Sequence, residues 1–167
     1  MSILLLFRWV LAGLVSTLSM DVGSALVRKA GLTAGLPPRL IGRWFALLGR
    51  GQFSHQTIAE ESAVPGELAF ALVGHYLIGI TLTVVFCTLL ATSRLKPAPA
   101  SGFALAVGFG MLTSLLSWFW MFPSMGFSAF GTSGPPEMML LRSSFVNHVI
   151  FGLALAVTTW WLGLLRS

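Results

Sequence analysis

The sequence predicts an all-α integral membrane protein, a four-helix bundle with a short amphipathic helix lying in the interface in its first loop. Three observations predict it. The 167 residues are 56% hydrophobic and only 9% charged, too few charges to cover the surface of a soluble domain. The mean hydropathy is +0.87, well above that of ordinary soluble chains. Four apolar stretches are long enough to cross a hydrocarbon core ~30 Å thick at ~1.5 Å per residue. The whole chain, 1–167, is read as a single transmembrane domain.

The first span is expected over 3–27, with Arg8 near one end and Asp21 near the other. Its apolar run continues past Ser16 and Thr17 without a small-x-small cleavage site, so it reads as an uncleaved span. The second, 68–91, is started by the turn Pro65-Gly66-Glu67 and closed by Arg94, Lys96, Pro97 and Pro99. The third, 102–122, ends at Pro123, with Trp118 and Trp120 where an interfacial aromatic belt would sit. The fourth, 137–165, is announced by Ser133-Gly134-Pro135-Pro136-Glu137 and leaves the bilayer at Trp160, Trp161 and Arg166.

Two connections carry pattern. In the first, residues 38–49 place Arg39, Arg43, Ala46 and, just beyond, Arg50 on one helical face, with Leu40, Ile41, Trp44, Leu47 and Leu48 opposite. That is the pattern of a helix lying in the interface, apolar face toward acyl chains and arginines toward lipid phosphates. The connection after Pro123, rich in small and turn residues yet apolar, fits either a re-entrant dip or a plain interfacial loop.

Composition also excludes. Ten Lys and Arg against five acids give a formal charge of +5, but no basic cluster is interleaved with stacking aromatics, so nucleic acid is not an expected partner. The single cysteine, Cys87, rules out an intrachain disulfide. No nucleophile elbow, Walker loop or dinucleotide glycine pattern occurs, and no cofactor is expected. Without H-x-x-x-H or H-E-x-x-H spacing, no metal site is expected either.

The polar residues fall together. With four spans, the ends of the first and third and the starts of the second and fourth share one membrane side. Asp21, Glu67, His75, Tyr76, Arg142, Asn147 and His148 then occupy that half of the bundle. Each imidazole lies roughly 10 Å below the surface if the helices are regular. Small or polar stripes include them: Gly13, Ser16, Thr17, Met20, Asp21 and Ser24; Gly74, His75 and Ile78; Gly110, Thr113, Ser114 and Ser117; Ser144, His148, Gly152, Ala156 and Thr159. Such stripes face inward because small residues let backbones approach. An ionisable group inside a span is a functional-site hypothesis with a partner to be named. The expected partners are Arg142 or an imidazole for Asp21, and His148 for His75; simple interhelical hydrogen bonding explains each residue singly.

Several strings carry a resemblance: Ser19-Met20-Asp21-Val22, Gly42-Arg43-Trp44, Gly49-Arg50-Gly51-Gln52-Phe53-Ser54-His55, Gly66-Glu67, Gly74-His75-Tyr76, Pro123-Ser124-Met125-Gly126, Arg142-Ser143-Ser144, and His148 with Phe151-Gly152. Through them nearly the whole chain resembles a bacterial family of small inner-membrane proteins catalogued as domain of unknown function 2938. The resemblance implies a four-span protein of the bacterial cytoplasmic membrane and no assigned activity. It also places His55 at the same mouth as the polar cluster.

The sequence therefore points to a multi-pass membrane protein that binds or passes a small solute, an ion or protons, lined by Asp21, His75, Tyr76, Arg142, Asn147 and His148. Arg39, Arg43, Arg50 and His55 form a basic rim that meets the bilayer and anionic lipid head groups. A membrane-embedded enzyme acting on a lipid-like substrate and a structural or accessory subunit remain alternatives. A chain too short for duplicated transporter halves makes a homo-oligomer the expected form of any transporter.

Overall fold

The computed structural model describes residues 2–93 and 99–165, without the side chains of Pro99 and Glu137. Arg94, Lys96 and Pro97, expected to close the second span, and Arg166, expected at the exit of the fourth, lie outside the described residues. The elements are α1 (Ile3–Lys29), α2 (Pro38–Leu48), α3 (Glu67–Thr92), α4 (Pro99–Leu116), a π-helical turn Ser117–Met121, α5 (Phe122–Ser124), two 3-10 turns, and α6 (Leu140–Trp161). The described residues are helices, turns and loops with no strand. Four helices are long and apolar enough to cross a membrane: Ile3–Lys29, Glu67–Thr92, Ala100–Ser124 and Leu140–Trp161. The chain is a multi-pass membrane protein of the all-α class.

Two spans depart from the expected outline. In the third, the Phe122 N–H bonds back to the Ser117 carbonyl, five residues earlier. Pro123 explains the wide turn: its ring has no N–H to give and would collide with the carbonyl four residues before it in a regular helix. The fourth starts at Leu140, later than the expected 137. Met139 takes a left-handed conformation at φ 46°, which an α-helix cannot include. The Met138 carbonyl is held instead by the Gly35 N–H at 2.9 Å and the Ser143 hydroxyl at 3.3 Å. The same helix stops at Trp161, short of the expected 165, because Gly163 turns left-handed at φ 70°. The Leu164 N–H then closes on the Thr159 carbonyl at 2.8 Å, a common helix ending.

The chain divides into two compact units. The first comprises Met1–Leu26, Tyr76–Leu112 and Asn147–Ser167. Its helices meet through small residues. A methyl group added at Gly13 would lie 2.7 Å from the Ile80 Cα. One added at Gly79 would overlap the Thr17 hydroxyl, and one at Gly110 would overlap the Gly152 Cα. The inward stripe expected on α1 is buried at Gly13, Ser16 and Thr17 and half-buried at Met20, Asp21 and Ser24, and that on α6 is buried at Gly152, Ala156 and Thr159. On α3 the expectation needs correction: Ile78 is 38% exposed, while Thr83, Phe86 and Cys87 are buried. Gly79 packs against Thr17 of α1, which turns its predecessor Ile78 outward, where an apolar side chain is at home in lipid.

The second unit comprises Val27–His75 and Thr113–Val146. Pro38 opens α2, where its missing N–H goes unneeded. Trp44, Ala46 and Leu47 of α2 join Ile58, Val64, Phe122, Met125, Phe127 and Leu140 in one apolar cluster. The apolar face of α2 is therefore covered by protein at Trp44 and Leu47, where the sequence pattern alone had turned it to acyl chains. The residues after Pro123 supply that cover, with Met125 fully buried and Phe127 nearly so. Trp44 also meets Trp120 edge-on at 5.3 Å between ring centres. Gly42 is the contact point with α3, since any side chain there would run into the Glu67 carbonyl.

Candidate functional site

Asp21 and Ser24 lie one turn apart on α1, so they share a face. The Tyr76 hydroxyl of α3 donates to the Asp21 carboxylate at 3.1 Å. The Ser24 hydroxyl donates to the Asn147 side-chain carbonyl of α6 at 2.7 Å. Two side-chain bonds thus tie three helices together at one level of the first unit. α4 reaches the same level, because a methyl group on Gly110 would come within 2.8 Å of the His148 carbonyl. Each of these side chains is partly buried.

A carboxylate inside a span is costly, on the order of 2.5–3.5 kcal/mol at a helix centre. A phenol that donates to it supplies a directed dipole in place of water, and adds no compensating positive charge. Such a carboxylate is suited to taking up a proton or a cation, either of which removes the buried charge.

The sequence-expected cluster is divided between the units. Asp21, Tyr76, Asn147 and His148 belong to the first, while His75 and Arg142 belong to the second. The Tyr76 hydroxyl is a partner of Asp21 that the sequence did not suggest. Neither imidazole is free of interactions in the fold. Arg142 is exposed, as are Arg39 and Arg50, whereas His75 is half-buried.

Arg43 stands apart from the rim expected for it. Its side chain is 12% exposed and its Nε lies 2.7 Å from Glu67 Oε1, on a side chain that is 8% exposed. Its Nη1 donates to three loop carbonyls, of Ile58 at 3.3 Å, Ala59 at 3.2 Å and Glu61 at 2.7 Å. The same Glu67 oxygen accepts the Val64 N–H at 3.0 Å. Arg43 and Glu67 therefore clamp the loop between α2 and α3.

That loop carries His55. Its side chain is 2% exposed, and its Nδ1 lies 3.0 Å from Glu61 Oε1. Its backbone N–H bonds to the Ser124 carbonyl at 2.9 Å, and three residues on Ile58 N–H bonds to the Met125 carbonyl at 3.0 Å. The Nε2 atom is buried without a hydrogen-bond partner. Sequence reading set Glu67 on the same membrane side as the polar cluster but named no partner for it, and Glu61 escaped sequence reasoning as an ordinary loop residue.

Among the described residues, no group of three or more His, Cys, Asp and Glu side chains is placed to hold a metal ion. Residues 10–162 match one family model, described as protein of unknown function (DUF2938). No curated protein and no solved structure gives a significant match.

Proposed function

The chain belongs to this family of proteins of unknown function, and from that premise we propose that it is a membrane protein that binds and passes protons or a small cationic solute at the Asp21 level. The observation that carries the reading is the Tyr76-to-Asp21 hydrogen bond at 3.1 Å, an ionisable pair between two spans. The Ser24–Asn147 bond at 2.7 Å supports it by adding a third helix with polar atoms at the same level. In this reading Asp21 takes up the charge and Tyr76 orients the carboxylate. Asn147 and His148, of the same unit, line the path.

The setting proposed is the cytoplasmic membrane of a bacterium, as the family resemblance implies. The exposed Arg39 and Arg50 are then available to anionic head groups. A homo-oligomer is the proposed working form.

The test is proton or cation uptake by vesicles reconstituted with the purified protein, read with an entrapped pH- or ion-sensitive dye under an imposed potential. Asp21→Asn, which removes the ionisable group, is expected to abolish the flux, and Tyr76→Phe, which loses one hydrogen bond to a charged group, to lower it about tenfold. Unaltered flux in a folded Asp21→Asn protein would remove Asp21 from the function. A drop in thermal stability with no flux in the unsubstituted protein would instead make the pair a structural tie.

A further inference from the structure

The second unit holds a histidine dressed as a metal ligand is dressed. With Glu61 as a carboxylate, which can only accept, the 3.0 Å contact puts a hydrogen on His55 Nδ1, and in the neutral ring Nε2 is then the atom with the lone pair. A carboxylate on the far ring nitrogen is the usual companion of a ligating imidazole, because it sets the tautomer and raises basicity. Nε2 is buried and has no partner in the protein, a position that calls for an occupant. The backbone holds the ring in place, through the His55–Ser124 bond at 2.9 Å and the Ile58–Met125 bond at 3.0 Å. Gly126 makes that seating possible: it is left-handed at φ 88°, and any side chain there would overlap the Gln56 carbonyl.

What lies beside this segment decides the class of occupant. No additional carboxylate, imidazole or thiolate completes a hard or borderline site among the described residues. Sulfur is present instead. Met125 is fully buried, and Met121 and Met138 pack against the cluster that contains it. Thioethers are soft, neutral ligands that select soft monovalent ions over Zn²⁺, Mg²⁺ or Ca²⁺. One imidazole and one or two thioethers add no negative charge, so a singly charged ion is the ion they suit in a buried site.

We propose that His55 Nε2 and the Met125 thioether, with Met121 or Met138, form a binding site for a soft monovalent metal ion of the Cu(I) and Ag(I) class, with Glu61 as its positioning residue. The site is independent of the Asp21 reading: either can fail without the other.

Ag(I) is the probe, since it needs no reductant. The purified full chain in detergent is titrated with silver nitrate in chloride-free buffer and followed by calorimetry. A Cys87→Ala background removes the single thiol, which would otherwise compete. One equivalent is expected to bind. His55→Gln and Met125→Leu, the latter close to volume-conserving, are expected to abolish that binding. Glu61→Gln, at a side chain 41% exposed and so least disruptive to the fold, is expected to weaken it on the order of 10–100-fold. Binding unchanged in His55→Gln or in Met125→Leu overturns the proposal, as does absence of binding in the Cys87→Ala background. Should the His55 and Met125 variants fail to fold, unweakened binding in Glu61→Gln overturns it.

Discussion

The two units are held together by different physics. The first is joined at glycine contacts, Gly13 with Ile80, Gly79 with Thr17 and Gly110 with Gly152, and by two side-chain hydrogen bonds between helices, Tyr76–Asp21 and Ser24–Asn147. The second is joined by an arginine that serves one carboxylate and three carbonyls, and by a tryptophan-centred apolar cluster. The contrast follows from what each must satisfy. Helices that already bond their own backbones need only shape to associate in lipid, and small residues provide it. An irregular loop brings bare carbonyls that must find donors, and a guanidinium carries five.

Backbone strain divides the same way. Among the described residues, the non-glycine residues with left-handed φ are Ser128, Phe130 and Met139, all in the second unit, together with the π-helical turn at Ser117–Met121. Such departures cost on the order of 1–3 kcal/mol each and persist where surrounding contacts over-determine them. Phe130 is so held, its ring edge-on to Phe119 at 4.9 Å and tilted against Trp118 at 5.6 Å.

The sharpest way to break the comparison is to remove the clamp. Arg43→Met leaves Glu67 buried and unpaired and strips three carbonyls of their donor, and is expected to destabilise the protein by about 3–5 kcal/mol in detergent unfolding. The double variant Arg43→Met/Glu67→Met should recover part of that loss. Equal loss in both would place the stabilisation in the carbonyl bonds and not in the ion pair.

A smaller effect is expected from glycine contacts in the first unit. Gly110→Ala pushes a methyl group into the Gly152 backbone and should cost about 1–3 kcal/mol. Gly108, two residues away, has nothing within 4 Å of its added Cβ, so Gly108→Ala should instead gain about 0.5–1 kcal/mol from helix propensity. Similar outcomes for the two would mean that close approach is not what holds α4 to α6.

The smallest effect concerns the polar tie. Ser24→Ala removes the 2.7 Å bond to Asn147 and should cost about 0.6 kcal/mol, the average for interhelical hydrogen bonds in membranes. A loss several times larger would show that the tie, and not the glycine contacts, organises the first unit.

Much of the outline was legible in the chain because it rests on one-dimensional quantities. Length and hydropathy place four spans, Pro38 and the amphipathic run after it place α2, and the small residues of α1 announce its buried face. The two ends of α6 were misjudged because Met139 and Gly163 act through left-handed backbone conformations, and methionine gives no warning of one. The polar residues of the spans were legible as a class. Their pairings were not, since a phenol three positions before a glycine carries no label naming Asp21 as its acceptor.

What the sequence determined by itself is the membrane-spanning, all-helical character, because the cost of exposing apolar groups to water and bare backbone to lipid depends on composition and run length. Only the tertiary structure decided which side chains meet. Arg43 and Glu67 stand 24 positions apart, Asp21 and Tyr76 55 apart, and Ser24 and Asn147 123 apart. Contacts over such separations are set by helix rotation and by which glycines permit close approach, neither of which a linear pattern of hydrophobicity encodes.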